Sequence, residues 1–92
     1  HTPKNLAISL VLEAAEVLEH LQWKTDEDFK EYLKTHREEF ADELGDVLNY
    51  LVQLSHVAGI DLLDAAEKKI KKNAKKYPTK KTRGSAKKYN EY

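Results

Sequence analysis

Leu6, Leu10, Ala14, Val17, Leu18 and Leu21 recur at helical spacing. At roughly 100° per residue they share one broad face. Ile8, Leu12 and Ala15 fall outside it, so the first helix is apolar nearly all round. Thr2-Pro3 reads as an N-cap followed by proline at the first helical position, and Lys24-Thr25-Asp26 closes the element after Trp23. A small domain cannot easily cover such a helix alone, which predicts a partner subunit in a helical homo-oligomer.

Residues from Asp26 to about Leu33 form a short amphipathic pattern with Phe29, Tyr32 and Leu33 on its apolar side. Lys34-Thr35-His36 is a break, and Thr35 with Glu38 matches a capping box for the next helix. That helix is expected over His36 to Ala58, with Phe40, Leu44, Val47, Leu48, Leu51 and Leu54 as its core face. Gly59 is a stop signal, and Asp61 caps a last helix reaching about Lys76, ahead of Pro78. Leu62, Leu63, Ala66, Ile70 and Tyr77 are its expected inner face. The fold class is therefore all-α, a small bundle of three main helices plus one short helix. Residues 1–77 make the helical domain and 78–92 a basic extended arm.

Acids interrupt this pattern at two places. Glu13 and Glu16 are three residues apart inside Leu10-Val11-Leu12-Glu13-Ala14-Ala15-Glu16-Val17-Leu18, and so lie on one narrow strip of the first helix. Glu43 and Asp46 repeat the spacing on the third helix, on a strip shared with Glu39 and Tyr50. A buried unpaired charge is costly, so something must compensate these acids. Two such pairs facing each other would hold a hard divalent cation, because Mg²⁺ takes oxygen ligands and shares its shell with water and phosphate. Pairing with lysines is the other reading that periodicity leaves open. The absence of a Glu-x-x-His match argues against a di-iron carboxylate site.

Charge divides the chain although its net value is zero. Residues 1–67 hold 5 Lys/Arg and 15 Asp/Glu, a balance of −10, and residues 68–92 hold 11 Lys/Arg against Glu91, a balance of +10. A cation held by the body and an anion met by the tail would use that division, and so would mutual attraction of the two halves. The acidic body argues against nucleic acid as a partner, since it would repel a phosphate backbone. With no cysteine there is neither a disulfide framework nor a thiolate metal site. No apolar run is long enough to span a bilayer and no secretion leader is recognisable, so a cytoplasmic protein without membrane contact is expected.

Trp23 at the end of the first helix and Tyr50 on the acidic strip could hold a base, or simply pack in the core. Lys69 borders the inner face of the last helix and Asn73 lies within it. Arg83-Gly84-Ser85 could meet phosphate through guanidinium and backbone N–H groups.

Several separate motifs then agree. Glu13-x-x-Glu16 followed by Glu43-x-x-Asp46 resembles the signature of the MazG-like nucleotide pyrophosphohydrolases. Thr2-Pro3-Lys4-Asn5-Leu6, Leu21-Gln22-Trp23-Lys24, Glu43-Leu44-x-Asp46-Val47-Leu48-x-Tyr50-Leu51, Lys69-x-x-x-Asn73-x-x-x-Tyr77-Pro78 and Arg83-Gly84-Ser85-Ala86-x-Lys88-Tyr89 look closest to its dCTP pyrophosphatase branch. The resemblance covers almost the whole chain. It implies an all-α, Mg²⁺-dependent enzyme that hydrolyses a nucleoside triphosphate, dCTP favoured, to the monophosphate and pyrophosphate, clearing unwanted deoxynucleotides. Glu13, Glu16, Glu43 and Asp46 would be its catalytic metal ligands, and Trp23 and Tyr50 would contact the nucleoside. Lys69 and Asn73 would reach the nucleotide, and Arg83 the phosphates. A homotetramer, a dimer of dimers, is also implied. Relatives of this kind carry an upstream segment with further base-contacting aromatic and histidine residues that this stretch does not include, which leaves base preference open. The competing expectation is a non-enzymatic helical interaction module whose acids pair with the lysine-rich tail.

Overall fold

The computed structural model describes residues 2–76. Its first helix, α1, spans Pro3–Glu19. Thr2 is extended (φ −79°, ψ 153°), its side chain accepts from the Asn5 backbone N–H at 3.1 Å, and Pro3 occupies the first turn, as the sequence predicts. The helix ends earlier than expected. Leu21 and Gln22 both donate to the Leu18 carbonyl (2.9 and 2.7 Å) and Lys24 donates to Leu21 (3.0 Å). Tight turns of this kind satisfy the last carbonyls of a helix and take Trp23 out of it.

The second helix, α2, spans Asp26–Ala58. It starts with a reciprocal capping box: the Thr25 side chain accepts from the Asp28 N–H and the Asp28 carboxylate accepts from the Thr25 N–H, both at 3.1 Å. The acids of its first turn, Asp26, Glu27 and Asp28, suit the positive helix end. The short helix and the longer one expected from the sequence are both present, as two helical arms of α2 joined across a kink at His36 (φ −125°, ψ 18°). Thr35 does not cap a new helix with Glu38. Its hydroxyl instead donates to the Tyr32 carbonyl at 3.4 Å and meets His36 Nδ1 at 2.7 Å, while that nitrogen lies 3.2 Å from the same carbonyl.

The kink is sharp enough to fold the helix back on itself. Phe29 and Phe40, eleven residues apart, would be separated by roughly 16 Å along a straight helix. Their ring centroids are 5.1 Å apart at 71°. His20 packs edge-on against Phe40 (5.4 Å, 84°) and its Nδ1 is hydrogen-bonded to the Tyr32 hydroxyl, which ties the end of α1 to both arms of the kink. Since His20 meets Phe40 while Glu13 meets Glu43, α1 and the longer arm of α2 run antiparallel.

Residues through Ile60 form one compact unit built on these two helices. Gly59 ends α2 in the left-handed region (φ 69°), the conformation that favours glycine there. A second unit begins at Asp61 and contains α3, Leu62–Lys76, whose N-terminus is capped by the Asp61 carboxylate accepting from the Asp64 N–H at 3.0 Å. Among the described residues of α3, Leu62, Ala65 and Asn73 are half-buried, whereas Leu63 (82% exposed), Ala66 and Ile70 are not. The inner stripe is thus rotated from the expected one. Tyr77, the arm 78–92 and with them Arg83 lie outside the described residues.

The seam between α1 and α2 also departs from the expected faces. Along α1 the covered positions include Leu6, Leu10, Glu13 and Val17, with His20 just beyond its end, and along the longer arm of α2 they include Phe40, Glu43, Val47, Tyr50, Leu51 and Leu54. These repeat by threes and fours, as in two helices packed at a shallow angle. Ala14, Leu18, Leu21, Leu44 and Leu48 are exposed instead. A two-helix seam admits one narrow stripe from each partner, and on a helix that is apolar all round the hydrophobic pattern does not specify which stripe. Here the stripe chosen contains an acid from each helix.

Candidate metal centre

Glu13 and Glu43 sit in the middle of the seam, each half-buried. Glu16 is one turn along α1, and one carboxylate oxygen from each of the three residues lies within 4.8 Å of the others. Oxygens in a Mg²⁺ shell are about 3–4 Å apart, given bonds of about 2 Å, so small side-chain rotations close this set around an ion. The Oε2 atoms of Glu13 and Glu43 are buried and have no hydrogen-bond partner. Orphaned carboxyl oxygens on facing helices fit a hard cation and nothing apolar.

Electrostatics agree. Burial, then a hydrogen bond with Glu16 and the charges of Glu16, Asp46 and Glu43, push the Glu13 carboxyl from 4.5 up to about 7. Glu43 is raised as well, first by hydrogen bonding with Glu16, then by burial and the charges of Glu16 and Asp46, with His20 pulling the other way. Crowded acids hold protons that a divalent cation would replace. Among the described residues the ion pairs are local, Lys30–Glu27, Lys34–Glu31, Lys68–Asp64 and Lys71–Glu67, and none reaches this cluster.

The sequence therefore named three acids that the fold gathers. Asp46 stands apart from that trio: it is exposed, and bears on the site through its charge on Glu13 and Glu43. Trp23 is 88% exposed in the turn after α1, so it does not pack in the core. Tyr50 is half-buried in the seam, about 10 Å along α2 from Glu43 and on the side of the cluster away from His20 and Phe40. Trp23 follows His20, so the two aromatic residues lie on opposite sides of the acids. Lys69 (exposed) and Asn73 (half-buried) are one turn apart on α3 in the second unit.

Three features beside the acids were not singled out by spacing. His20 and Tyr32 bond to each other, and together with Glu19 they line a hollow next to the end of α1. The signal for Glu19 was present: Glu13, Glu16 and Glu19 continue one three-residue rhythm. The His20–Tyr32 pair depends on the fold of the kink and had no local signature.

Known proteins match this chain in sequence and in fold. The MazG-like family matches residues 8–92, and the chain belongs to that family. It is 42% identical to dCTP pyrophosphatase 1 of Bos taurus over 91 residues, 97% of this chain and 54% of that protein. With dCTP pyrophosphatase 1 of Homo sapiens the identity is 41% over 93 residues, 99% of this chain and 55% of the other. The chain thus spans about half the length of the curated relatives it matches. The crystal structure of a pyrophosphatase from Archaeoglobus fulgidus DSM 4304 superimposes with a TM-score of 0.80 at 44% identity, covering 86% of this chain and 74% of that one. Among the described residues, no helix is long and apolar enough to cross a membrane.

Proposed function

We propose that this chain is a Mg²⁺-dependent nucleoside triphosphate pyrophosphohydrolase, with dCTP the favoured substrate and the monophosphate and pyrophosphate as products. The observation that carries the reading is the pair of orphaned Oε2 atoms on Glu13 and Glu43, facing each other beside Glu16. Family membership and the names of the relatives, dCTP pyrophosphatase 1 and a pyrophosphatase, support the chemistry.

Glu13 and Glu43, with Glu16 beside them, would hold the ion, and Asp46 would add negative charge at its border. Held there, Mg²⁺ would supply charge neutralisation for the phosphates and a Lewis-acid site for the attacking water. Glu16, one turn along α1 from Glu13 and with a carboxylate oxygen within 4.8 Å of those of both seam glutamates, would take the proton of that water instead of serving as a full metal ligand. Water oxygen bonds to the α-phosphorus, the bond from that phosphorus to the bridging oxygen breaks, and pyrophosphate leaves with the electron pair. Trp23, exposed and flat, offers a stacking surface for the base, whereas Tyr50, on the other side of the acids, would not contact that same base. Lys69 and Asn73 of a neighbouring subunit would reach the nucleotide, and Arg83 would hold the phosphates.

The working form is a homo-oligomer, a tetramer built as a dimer of dimers. Among the described residues Leu6 alone is a buried hydrophobic, while Ile8, Val11, Leu12, Leu18, Leu44, Leu48 and Val52 stay exposed. Such an apolar surface is what a subunit interface covers. Its setting would be cytoplasmic nucleotide metabolism, clearing unwanted deoxynucleotides.

A panel of nucleoside triphosphates, assayed for pyrophosphate with and without Mg²⁺, tests the reading. Release from dCTP that requires Mg²⁺ and is abolished by Glu43→Gln is the expected result. Unchanged turnover in that variant would overturn it, and no turnover of any nucleotide would favour a non-enzymatic interaction module.

A further inference from the structure

A hollow of about 240 Å³ beside the end of α1 is lined by Glu19, His20 and Tyr32. Two of these three groups are already committed. His20 Nδ1 and the Tyr32 hydroxyl bond to each other. The Lys24 ammonium sits over the Tyr32 ring at 4.2 Å, and the His36 ring lies parallel to it at 4.2 Å and 3°. An ammonium and a parallel ring at so short a distance must occupy opposite faces, so Tyr32 presents only its edge to the hollow. Glu19 is exposed, and among the described residues it makes neither a hydrogen bond nor an ion pair.

Glu19 also stands in a fixed relation to the acid cluster. It is three residues beyond Glu16 and six beyond Glu13, hence about 4.5 Å and 9 Å further along α1, turned about 60° from Glu16 and about 120° from Glu13. A nucleotide whose phosphates met an ion held at Glu13, Glu16 and Glu43 would carry its base one sugar ring away, and Glu19 stands on the side of the cluster toward His20 and the hollow. An ionised carboxylate can only accept hydrogen bonds. At the edge of a base it attracts an amine and repels a carbonyl oxygen.

We propose that Glu19 is the specificity-determining residue for the base, accepting a hydrogen bond from the exocyclic amine of an aminopyrimidine seated in the Glu19–His20–Tyr32 hollow. This deepens the proposed function and rests on it for the placement of the phosphates. The residue acts on choice of base, whereas Glu13, Glu16 and Glu43 act on the phosphates.

The test is the ratio of kcat/KM for dCTP to that for dTTP, measured by pyrophosphate release from the full chain with Mg²⁺. A glutamine amide can turn either its oxygen or its nitrogen to the base, so Glu19→Gln should lower the ratio about tenfold, the worth of one hydrogen bond to a charged group. Glu19→Ala should lower it as well. An unchanged ratio in both variants, or a wild-type protein that does not prefer dCTP, overturns the proposal. If the wild-type chain releases no pyrophosphate from either nucleotide, the hydrolase reading fails by itself, and calorimetric titration with dCMP and dTMP decides the inference. Preference for dCMP that is lost in Glu19→Gln supports it, and equal affinities overturn it.

Discussion

Glu13 of α1 and Glu43 of α2 face each other across the helical seam, and each keeps one buried carboxylate oxygen without a hydrogen-bond partner. Helix seams are normally closed by apolar side chains, and here leucines that could have closed it, Leu12 and Leu44, point outward. Such an arrangement gives up hairpin stability in the absence of a ligand and recovers it by binding a cation. The consequences are measurable.

Glu43→Gln should raise the Tm of the metal-free protein, because it removes one of three crowded acids. The same change should cancel the Tm increase that Mg²⁺ produces in the wild type and reduce pyrophosphate release by more than about a hundredfold, since even residues that only support metal ligands cost 10–100-fold. Thermal scans with and without Mg²⁺, paired with the activity assay, check both halves. A metal-free Tm that falls in the variant would contradict the account of the seam.

Glu13 supplies a pH signature. Its carboxyl titrates near 7 in the metal-free fold, against 4.5 ordinarily. Between those values the folded state keeps a proton that the unfolded chain has released, so stability falls as pH rises through the window. The metal-free Tm should drop from about pH 5 to about pH 7.5, with a shallower drop in Glu13→Gln. Mg²⁺ needs ionised ligands, so its stabilising effect should grow over the same interval. A metal-free Tm that climbs with pH would argue against a raised carboxyl.

Thr25→Ala removes the side-chain half of the capping box that starts α2. Loss of such a cap costs about 1 kcal/mol, which in a domain of this size lowers Tm by about 4–8 °C. Glu38→Ala should have a much smaller effect, because Thr35 and Glu38 do not form a second box. Equal losses in the two variants would mean that Thr35 and Glu38 do form a second capping box.

The outer face of α1 predicts assembly. Ala7, Ile8, Val11 and Leu12 line a wholly apolar depression there. Replacing Val11 and Leu12 together by lysine should bring the sedimentation mass down to the 10.6 kDa of one chain, with the wild type a multiple of it. A wild-type protein already sedimenting at one chain mass would remove the basis for a subunit interface.

Much of this protein was legible in the order of its residues. Thr2-Pro3, Gly59 and Asp61 marked helix ends that the structure reproduces, because caps and stops act within a few residues. The break near Thr35 was visible for the same reason, although its chemistry, a hydroxyl turned back to Tyr32, was not. The glutamate pairs could be read as candidate ligands because spacing by three places two acids on one strip of one helix.

What only the tertiary structure decided is which strip faces in. An α1 that is apolar all round has no face that hydrophobicity singles out, so the seam had to be chosen by the partner helix. Its antiparallel course brings Glu43 opposite Glu13 and leaves Leu12, Leu18, Leu44 and Leu48 outside. The same long-range pairing ties His20 to Tyr32 and Phe40, residues twelve and twenty positions away. Helical periodicity is a local property, whereas the register between two helices is set by every side chain along their contact. The acids were written in the sequence; their meeting was a result of the fold.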